Sequence, residues 1–539
     1  MPPLTRRSIR IGLVIFIAAC ALALFGLTNH PYWDDEANTA LFARALRATG
    51  HLSAFDGINV IGYRLGAELD DNLRNTYMPP LQYGVAALGQ AIFGDTTFGG
   101  RILFVLTGLA SLWLLFLWAH WHLAGRLPAW LPMLLVAIAP AYLLYIRQCR
   151  YYSLTVLFTL ALLALAAAPI TRRRMLILAS CLSALSMGLL MFSNYLSAVT
   201  AGALLSLLFV LQRYRTRTYA TVFGVTMAAA LLTGIFVLIT ANPFSHGVAL
   251  KGSITGLARI CILAWWHLTG LGSFEFFPLA VPALLGLLRW VKQLRPHRAL
   301  LDEGLFICLM LLVYSSVVVI FSPQAVNDTR GLADMRYVVP LIAIGSLASA
   351  LLIHAAWRFS RPVGVVVTLV FTLSTTFHLG FLGRQPIRST IVDYVSEIAR
   401  PFDTGTDRLI RYLATLPDGT RVQITPEFMA YQAMYYVPRL HYINQLSPGK
   451  HIEPRLRDSL PAHVFTRASS PDYLLVEGDI PLEEVLTKLD DHYGAGRYRF
   501  ITSLPGDWRD LSRPEIPSHA FGPADPLSER GFMVIARQP

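Results

Sequence analysis

Long apolar runs separated by short polar turns fill the chain up to residue 383, and then the pattern changes. Runs over 9–28, 101–121, 129–146, 152–170, 175–193, 196–212, 219–240, 277–292, 304–322, 337–357 and 362–382 each approach the length of about 20 residues that crosses a bilayer core as a helix. Two further segments are short. The first, 79–93, opens with Pro79-Pro80, and the second, 258–272, carries Trp265, Trp266 and His267. Both read as interfacial or re-entrant helices.

From 384 to 539 the chain is polar. Helical periodicity is visible near 391–400, 405–416, 429–437 and 482–492, and strand-like runs at 421–425, 472–477, 498–503 and 531–536. The expected architecture is a polytopic α-helical membrane part over 1–383, with about 11–13 transmembrane helices, and a small soluble α/β domain over 384–539. Neither an internal repeat nor a low-complexity tract is visible.

The polar loop 29–100 follows the first run. Within it, Ala37 to Thr49 predicts an amphipathic helix, with Leu41 and Phe42 one turn from Ala45 and Leu46, and Gly50 is its stop signal. Three acids, Asp34, Asp35 and Glu36, precede it. Acids at a helix start cap free N–H groups and complement the dipole. Acids just beyond a membrane span also lie within reach of a lipid head group. The two readings are compatible, because a helix N-terminus favours a charged carboxylate that can serve as a base.

Composition narrows the class. Of 539 residues, 54% are hydrophobic and only 14% charged, and the mean hydropathy is +0.50. These values mark a polytopic membrane protein. The net charge of +12 suggests nucleic acid at first sight. The arginines fall instead in short turns between apolar runs, where they set topology, so a nucleic-acid partner is excluded. None of the five cysteines lies beyond Cys308, which leaves the C-terminal domain without a disulfide, and no CxxC pair suggests a metal site. Arg6-Arg7 followed by Ile9 to Leu27 resembles a signal peptide but reads as an uncleaved first helix.

The positive-inside rule then orients the chain. The turns holding Arg172 to Arg174, Arg213 to Arg217, Arg289 to Arg298, and Arg358 to Arg361 are inside. Loops 29–100, 147–151, 193–195, 241–276 and 323–336, and everything after 383, share the outer face. A crossing by 79–93 would reverse this parity.

The outer face collects Asp34, Asp35, Glu36, Glu68, Asp70 and Asp71 with Arg147, Arg150, Lys251, Arg259, Arg330 and Arg336, near Tyr77, Tyr151, Tyr152, Tyr337 and His267. Acids facing arginines at the lip of a bundle suit one task. A carboxylate deprotonates an acceptor hydroxyl while guanidinium groups hold a departing phosphate. Arg147 and Arg150 also fit snorkelling at a helix end, and Tyr77 and His267 fit an aromatic belt.

The stretches WDDEANTALFARAL, YMPPLQYGVAALGQAIFG, Arg101 opening the next run, APAYLLYIRQCRYYSL and MRYVVPL occur in order over about residues 1–380. In this order and spacing the chain resembles the GT-C superfamily of polyprenyl-phosphate-sugar-dependent glycosyltransferases. The resemblance is strongest to the branch of the protein O-mannosyltransferases and lipid A aminoarabinose transferases. It implies Asp35 as the essential acid and base, Glu36 beside it, and donor phosphate held by Arg147 or Arg150 and Arg336, with the hydroxyls of Tyr77, Tyr151 and Tyr337. Met78 and Asn38 stand where the aminoarabinose transferases have Lys and Arg, which leaves donor and acceptor open.

The implied reaction is an inverting transfer from a polyprenyl-phosphate-linked sugar to a hydroxyl of a glycan, lipid or protein, at the outer face of a bacterial inner membrane. No cofactor is implied with certainty, and a divalent metal on Asp35, Glu36 or His267 is compatible, since some members use one and others do not. A lipid-linked sugar flippase and a non-catalytic membrane assembly factor are the competing classes. The topology predicts that a reporter fused at residue 390 is active only when it functions outside the cytoplasm; cytoplasmic activity alone would overturn the parity argument.

Overall fold

The computed structural model describes residues 4–538 except 124, 214–216, 241–251, 379–385, 467, 479, 506–513, 515–518, 520 and 523–530. Lys251 and the expected boundary at 383/384 lie outside the described residues. In chain order the helices are α1 (Arg6–Leu24), α2 (Asp34–Thr49), α3 (Leu81–Phe93), α4 (Thr97–His122), α5 (Trp130–Ala137), α6 (Pro140–Ile146), α7 (Tyr152–Ala167), α8 (Arg173–Ser193), α9 (Tyr195–Val210) and α10 (Arg217–Thr240). They continue with α11 (Gly256–Ser273), α12 (Ala280–Leu288), α13 (Arg298–Phe321), α14 (Pro340–Phe359) and α15 (Arg361–Leu373).

Among the described residues, six helices are long and apolar enough to cross a membrane: α1, α4, α8, α10, α13 and α14. Three shorter apolar helices, α7, α9 and α15, accompany them. The chain is a multi-pass membrane protein. The expected span 129–146 is broken into α5 and α6. Pro140 opens α6 and cannot continue the hydrogen-bond ladder of α5. The segment around 258–272 is one longer helix, α11, with Leu257, Trp265 and Leu268 exposed. Helix α3 rises only about 20 Å at 1.5 Å per residue, short of a bilayer core, and exposes Leu88, Ile92 and Phe93.

The two ends of the bundle differ. At one end the buried His122 of α4 and Glu303 of α13 meet the more exposed Arg213 beyond α9. The described parts of the Arg-rich turns lie at this end, with Arg213 and Arg289 paired to residues of α13. At the other end the N-terminus of α4 meets the turn between α1 and α2, and a small sheet domain covers them.

That domain contains α16 (Thr390–Ala399), α17 (Gly405–Ala414), β1 (Arg421–Thr425), α18 (Ala430–Tyr436), β2 (His441–Tyr442), α19 (Pro454–Ser459), β3 (Tyr473–Glu477), α20 (Leu482–Tyr493), β4 (Tyr498–Leu504) and β5 (Phe532–Arg537). The sheet order is β2-β1-β3-β5-β4. β1 runs parallel to β2 and β3, while β5 is antiparallel to β3 and β4. β3 and β5 are continuously apolar because both sheet faces are covered there.

The loop 51–77 is the joint between the two parts. The Asn59 side chain donates to the carbonyls of Pro438 (3.3 Å) and Leu440 (2.9 Å) and accepts from Tyr442 N (2.8 Å). Ser447 N donates to Leu65 O and Glu453 N to Asp71 O. Arg64 and Leu65 have left-handed backbones, with φ of 48° and 56°. Such conformations cost of order 1–3 kcal/mol each and need outside support. Glu427 of the sheet domain supplies it by accepting from Arg64 N at 2.5 Å. At Gly62 any Cβ would run into the carbonyl oxygen of Gln445. Gly62→Ala is therefore expected to lift this loop off the sheet domain, seen as faster limited proteolysis within 51–77, with the helical bundle still intact by circular dichroism.

Candidate active site

The first turn of α2 places three successive acids in three environments. Helix residues step by about 100°, so Asp34, Asp35 and Glu36 cannot face one way. Glu36 turns into the bundle and is fully buried. Its carboxylate takes Arg101 Nε at 2.8 Å and Nη2 at 2.6 Å, and accepts from Cys149 N at 2.7 Å and Trp33 N at 3.4 Å. Arg101 completes its fork on the carbonyls of Leu27 (2.8 Å), His30 (2.9 Å) and Pro31 (3.0 Å). All five of its N–H directions are thus used.

Asp35 faces a cavity of about 530 Å³, within the size range of ligand pockets. Its Oδ2 lies 2.8 Å from Arg336 Nη1 and 3.1 Å from Arg150 Nη2. Arg150 is buried and also donates to Thr39 Oγ1 at 3.2 Å, while Arg336 Nε reaches Asp334 at 2.5 Å. Asp34 also borders the cavity, and its carboxylate accepts from Asp35 N at 2.7 Å.

Tyr77, Tyr151 and Tyr337 line the same cavity. The structure thus brings together Asp35, Arg150, Arg336 and these three tyrosines, from α2, the loop 51–80, the 147–151 turn and the 323–337 segment. It leaves three expected residues out. Glu36 does not line the cavity, because Arg101 and the Cys149 amide occupy its carboxylate. Arg147 points the other way, with Nη1 donating to Tyr394 Oη at 2.7 Å and Nη2 to Gly26 O, so it ties the bundle to α16. His267 sits buried on α11, away from the cavity lining.

Tyr63, Arg64, Phe428, Tyr431 and Asp334 also line the cavity without any signal in the local sequence, and Glu68 stands out there only as one acid among several. Phe428 and Tyr431 lie some 350 residues beyond the loop they face, and nothing in local pattern signals that. Burial pushes the Glu68 carboxyl up to about 7, with Arg64 opposing and Asp35 reinforcing the shift.

The charges here do not fit a divalent cation. Asp35 is already paired with two guanidinium groups, Asp334 with one, and Asp34 is engaged by a backbone amide. Among the described residues no group of three or more His, Cys, Asp or Glu side chains converges as a metal site.

Solved structures share the overall fold of this chain. The chain superposes on ArnT from Cupriavidus metallidurans in the apo state with a TM-score of 0.57 at 12% identity, covering 97% of both chains. The same enzyme bound to undecaprenyl phosphate gives a TM-score of 0.54 at 12% identity, covering 98% of this chain and 97% of that one. The oligosaccharyltransferase of Archaeoglobus fulgidus, in complex with Zn and sulfate, gives 0.50 at 12% identity over 95% of this chain and 73% of that one. This chain has the GT-C fold. No protein-family model and no curated protein sequence matches it.

Within a GT-C fold the neighbouring acids are separable by experiment. Removing one partner of a buried ion pair costs about 3–5 kcal/mol, so Glu36→Gln should lower the melting temperature and yield of the detergent-purified protein sharply. Asp35→Asn also unpairs Arg150, but at a partly exposed carboxylate beside the cavity, and should lower the melting temperature less. Equal loss from both substitutions would contradict the different roles assigned to them.

Proposed function

We propose that this chain is an inverting glycosyltransferase that moves a sugar from a polyprenyl-phosphate donor to a hydroxyl acceptor. The carrying observation is the cluster of Asp35 with Arg150 and Arg336 on the wall of the cavity. A base and two phosphate-binding forks are held within one hydrogen bond of each other, beside membrane helices that a polyprenyl chain can follow. The GT-C fold, and the undecaprenyl phosphate bound by the ArnT structure, support the same reading.

The mechanism follows from this placement. Asp35 takes the proton of the acceptor hydroxyl as that oxygen attacks the anomeric carbon. The bond between the anomeric carbon and the phosphate oxygen breaks, and its electron pair leaves with polyprenyl phosphate. Arg150 and Arg336 receive the growing charge on the phosphate, a role that planar forks perform well. Tyr77, Tyr151 and Tyr337 offer hydroxyls on the same wall. A single displacement inverts the anomeric centre, by the geometric logic of inverting glycosidases. No step is assigned to a metal, because Asp35 and Asp334 are already paired with arginines.

The site is read as facing the outside of a bacterial inner membrane. The Arg-rich turns lie at the other end of the bundle, where the positive-inside rule puts the cytoplasm.

The test is genetic and chemical. Deleting the gene should remove one glycan modification, identified by mass spectrometry of lipids, polysaccharides and proteins. Wild type should restore it, and Asp35→Asn, made at equal protein level, should transfer at least ~10²-fold less. Full restoration by Asp35→Asn would sink the assignment of the base. Arg150→Ala or Arg336→Ala should lower kcat and raise the donor KM together, since charge on the leaving phosphate grows in the transition state. Lysine at either position should recover only part of the loss. Normal transfer by both alanine variants would place the phosphate elsewhere.

A further inference from the structure

The cavity has a second wall that the proposed reaction leaves unassigned. It is built by the loop of Tyr63, Arg64 and Glu68 together with Phe428 and Tyr431 of the sheet domain. We propose that this wall is a glycosyl subsite, in which Glu68 and Tyr431 hold hydroxyls of the donor's sugar ring while Phe428 and Tyr63 pack against its C–H face. The proposal rests on the glycosyltransferase reading and goes beyond it by naming what the sheet domain contributes.

Three observations carry it. The Tyr431 side chain is only 4% exposed and lines the cavity, yet its hydroxyl has no hydrogen-bond partner among the described residues. A buried hydroxyl left unpaired is costly, and a ligand hydroxyl in the cavity would satisfy it. Next, the loop is held in shape at a cost: Arg64 and Leu65 are left-handed, and Glu427, one residue before Phe428, fixes the Arg64 amide. Strained backbone of this kind clusters at ligand clamps, where the surrounding structure holds it in place. Last, the wall is electrostatically joined to the phosphate forks, since Asp35 and Arg150 both act on Glu68. A sugar is one bond from the phosphate in such a donor, so the ring must lie next to the forks. A carboxyl can accept from two neighbouring ring hydroxyls, or donate to one and accept from the other. Aromatic faces supply apolar area to the C–H side of a ring.

The test compares two probes on the full-length protein in lipid nanodiscs. One is undecaprenyl phosphate. The other is a set of its glycosylated forms carrying mannose, glucose, galactose or arabinose. Wild type should bind at least one glycosylated form ~10-fold or more tighter than the bare lipid phosphate. Glu68→Ala should remove about tenfold of that preference, and Phe428→Leu and Tyr431→Phe about threefold each. Affinity of the Phe428 and Tyr431 variants for bare undecaprenyl phosphate should stay within about twofold.

Tyr431→Phe guards against a merely structural effect. It deletes an unpaired hydroxyl, so its melting temperature should hold or rise while the sugar preference falls. Arg336→Ala should weaken both probes alike. A wild type that prefers none of the four sugars, or variants that keep the full preference, would overturn the subsite while leaving the phosphate site standing. Failure of wild type to bind any of these lipids would instead overturn the glycosyltransferase reading itself.

Discussion

The ion pair between Glu36 and Arg101 fixes where everything else at this end of the protein sits. It is buried, doubly hydrogen-bonded, and wired on both sides to backbone. Arg101 gathers three carbonyls of the turn between α1 and α2, while Glu36 accepts the Cys149 amide one residue before Arg150. Three segments far apart in sequence therefore share one register: the start of α2, the first turns of α4, and the 147–151 turn. A buried pair of this kind adds little net stability over an apolar core, but breaking one side of it is costly. Its value here is positional. It sets the rotation of α2 about its axis, and that rotation decides that Asp35, rather than its neighbours, meets Arg150.

The same logic explains why two arginines three residues apart do different things. Arg147 and Arg150 flank a tight turn, and both carry long side chains beside apolar helices. Arg150 is drawn inward by Asp35 and Thr39, whereas Arg147 crosses to Tyr394 and Gly26. Spacing alone could not separate them, because the deciding partners are on α2 and on α16. Likewise Asp34, Asp35 and Glu36 form one acidic run in sequence and three distinct environments in space. The capping reading holds for Glu36, which accepts the Trp33 amide at the helix start, while Asp35 faces the cavity.

Local pattern made much of the fold legible. The apolar runs mark the helices of the bundle, and the short apolar stretches of the C-terminal part mark β1, β3, β4 and β5 closely, since period and length report burial directly. Two-residue β2 and short α19 carry too little pattern to be seen. The broken α5–α6 pair reads as one apolar run because hydropathy ignores what Pro140 does to the backbone. The far wall of the cavity was not legible at all. Phe428 and Tyr431 look like ordinary residues of an amphipathic segment, and only the docking of the 51–77 loop turns them toward Asp35.

Charge balance is the last constraint on how such a site can work. The cavity is lined by Asp34, Asp35, Asp334 and Glu68 against Arg64, Arg150 and Arg336. With every carboxyl ionised the lining is net negative, which opposes the arrival of a phosphate. Burial already holds the Glu68 carboxyl near neutrality, at about 7. A phosphate entering beside Arg150 would repel its charged form further and favour the proton. In the proposed reaction Glu68 is thus the group that absorbs the added negative charge, while Asp35 remains the proton acceptor. The incoming phosphate also competes with Asp35 for the two guanidinium groups. That competition weakens the hold of Arg150 and Arg336 on the carboxylate when donor is bound, which is when a free base is needed. In the proposed reaction these two acids of one cavity divide between accommodating an anion and accepting a proton, because one is half-buried beside a strained loop and the other is paired with the two arginines.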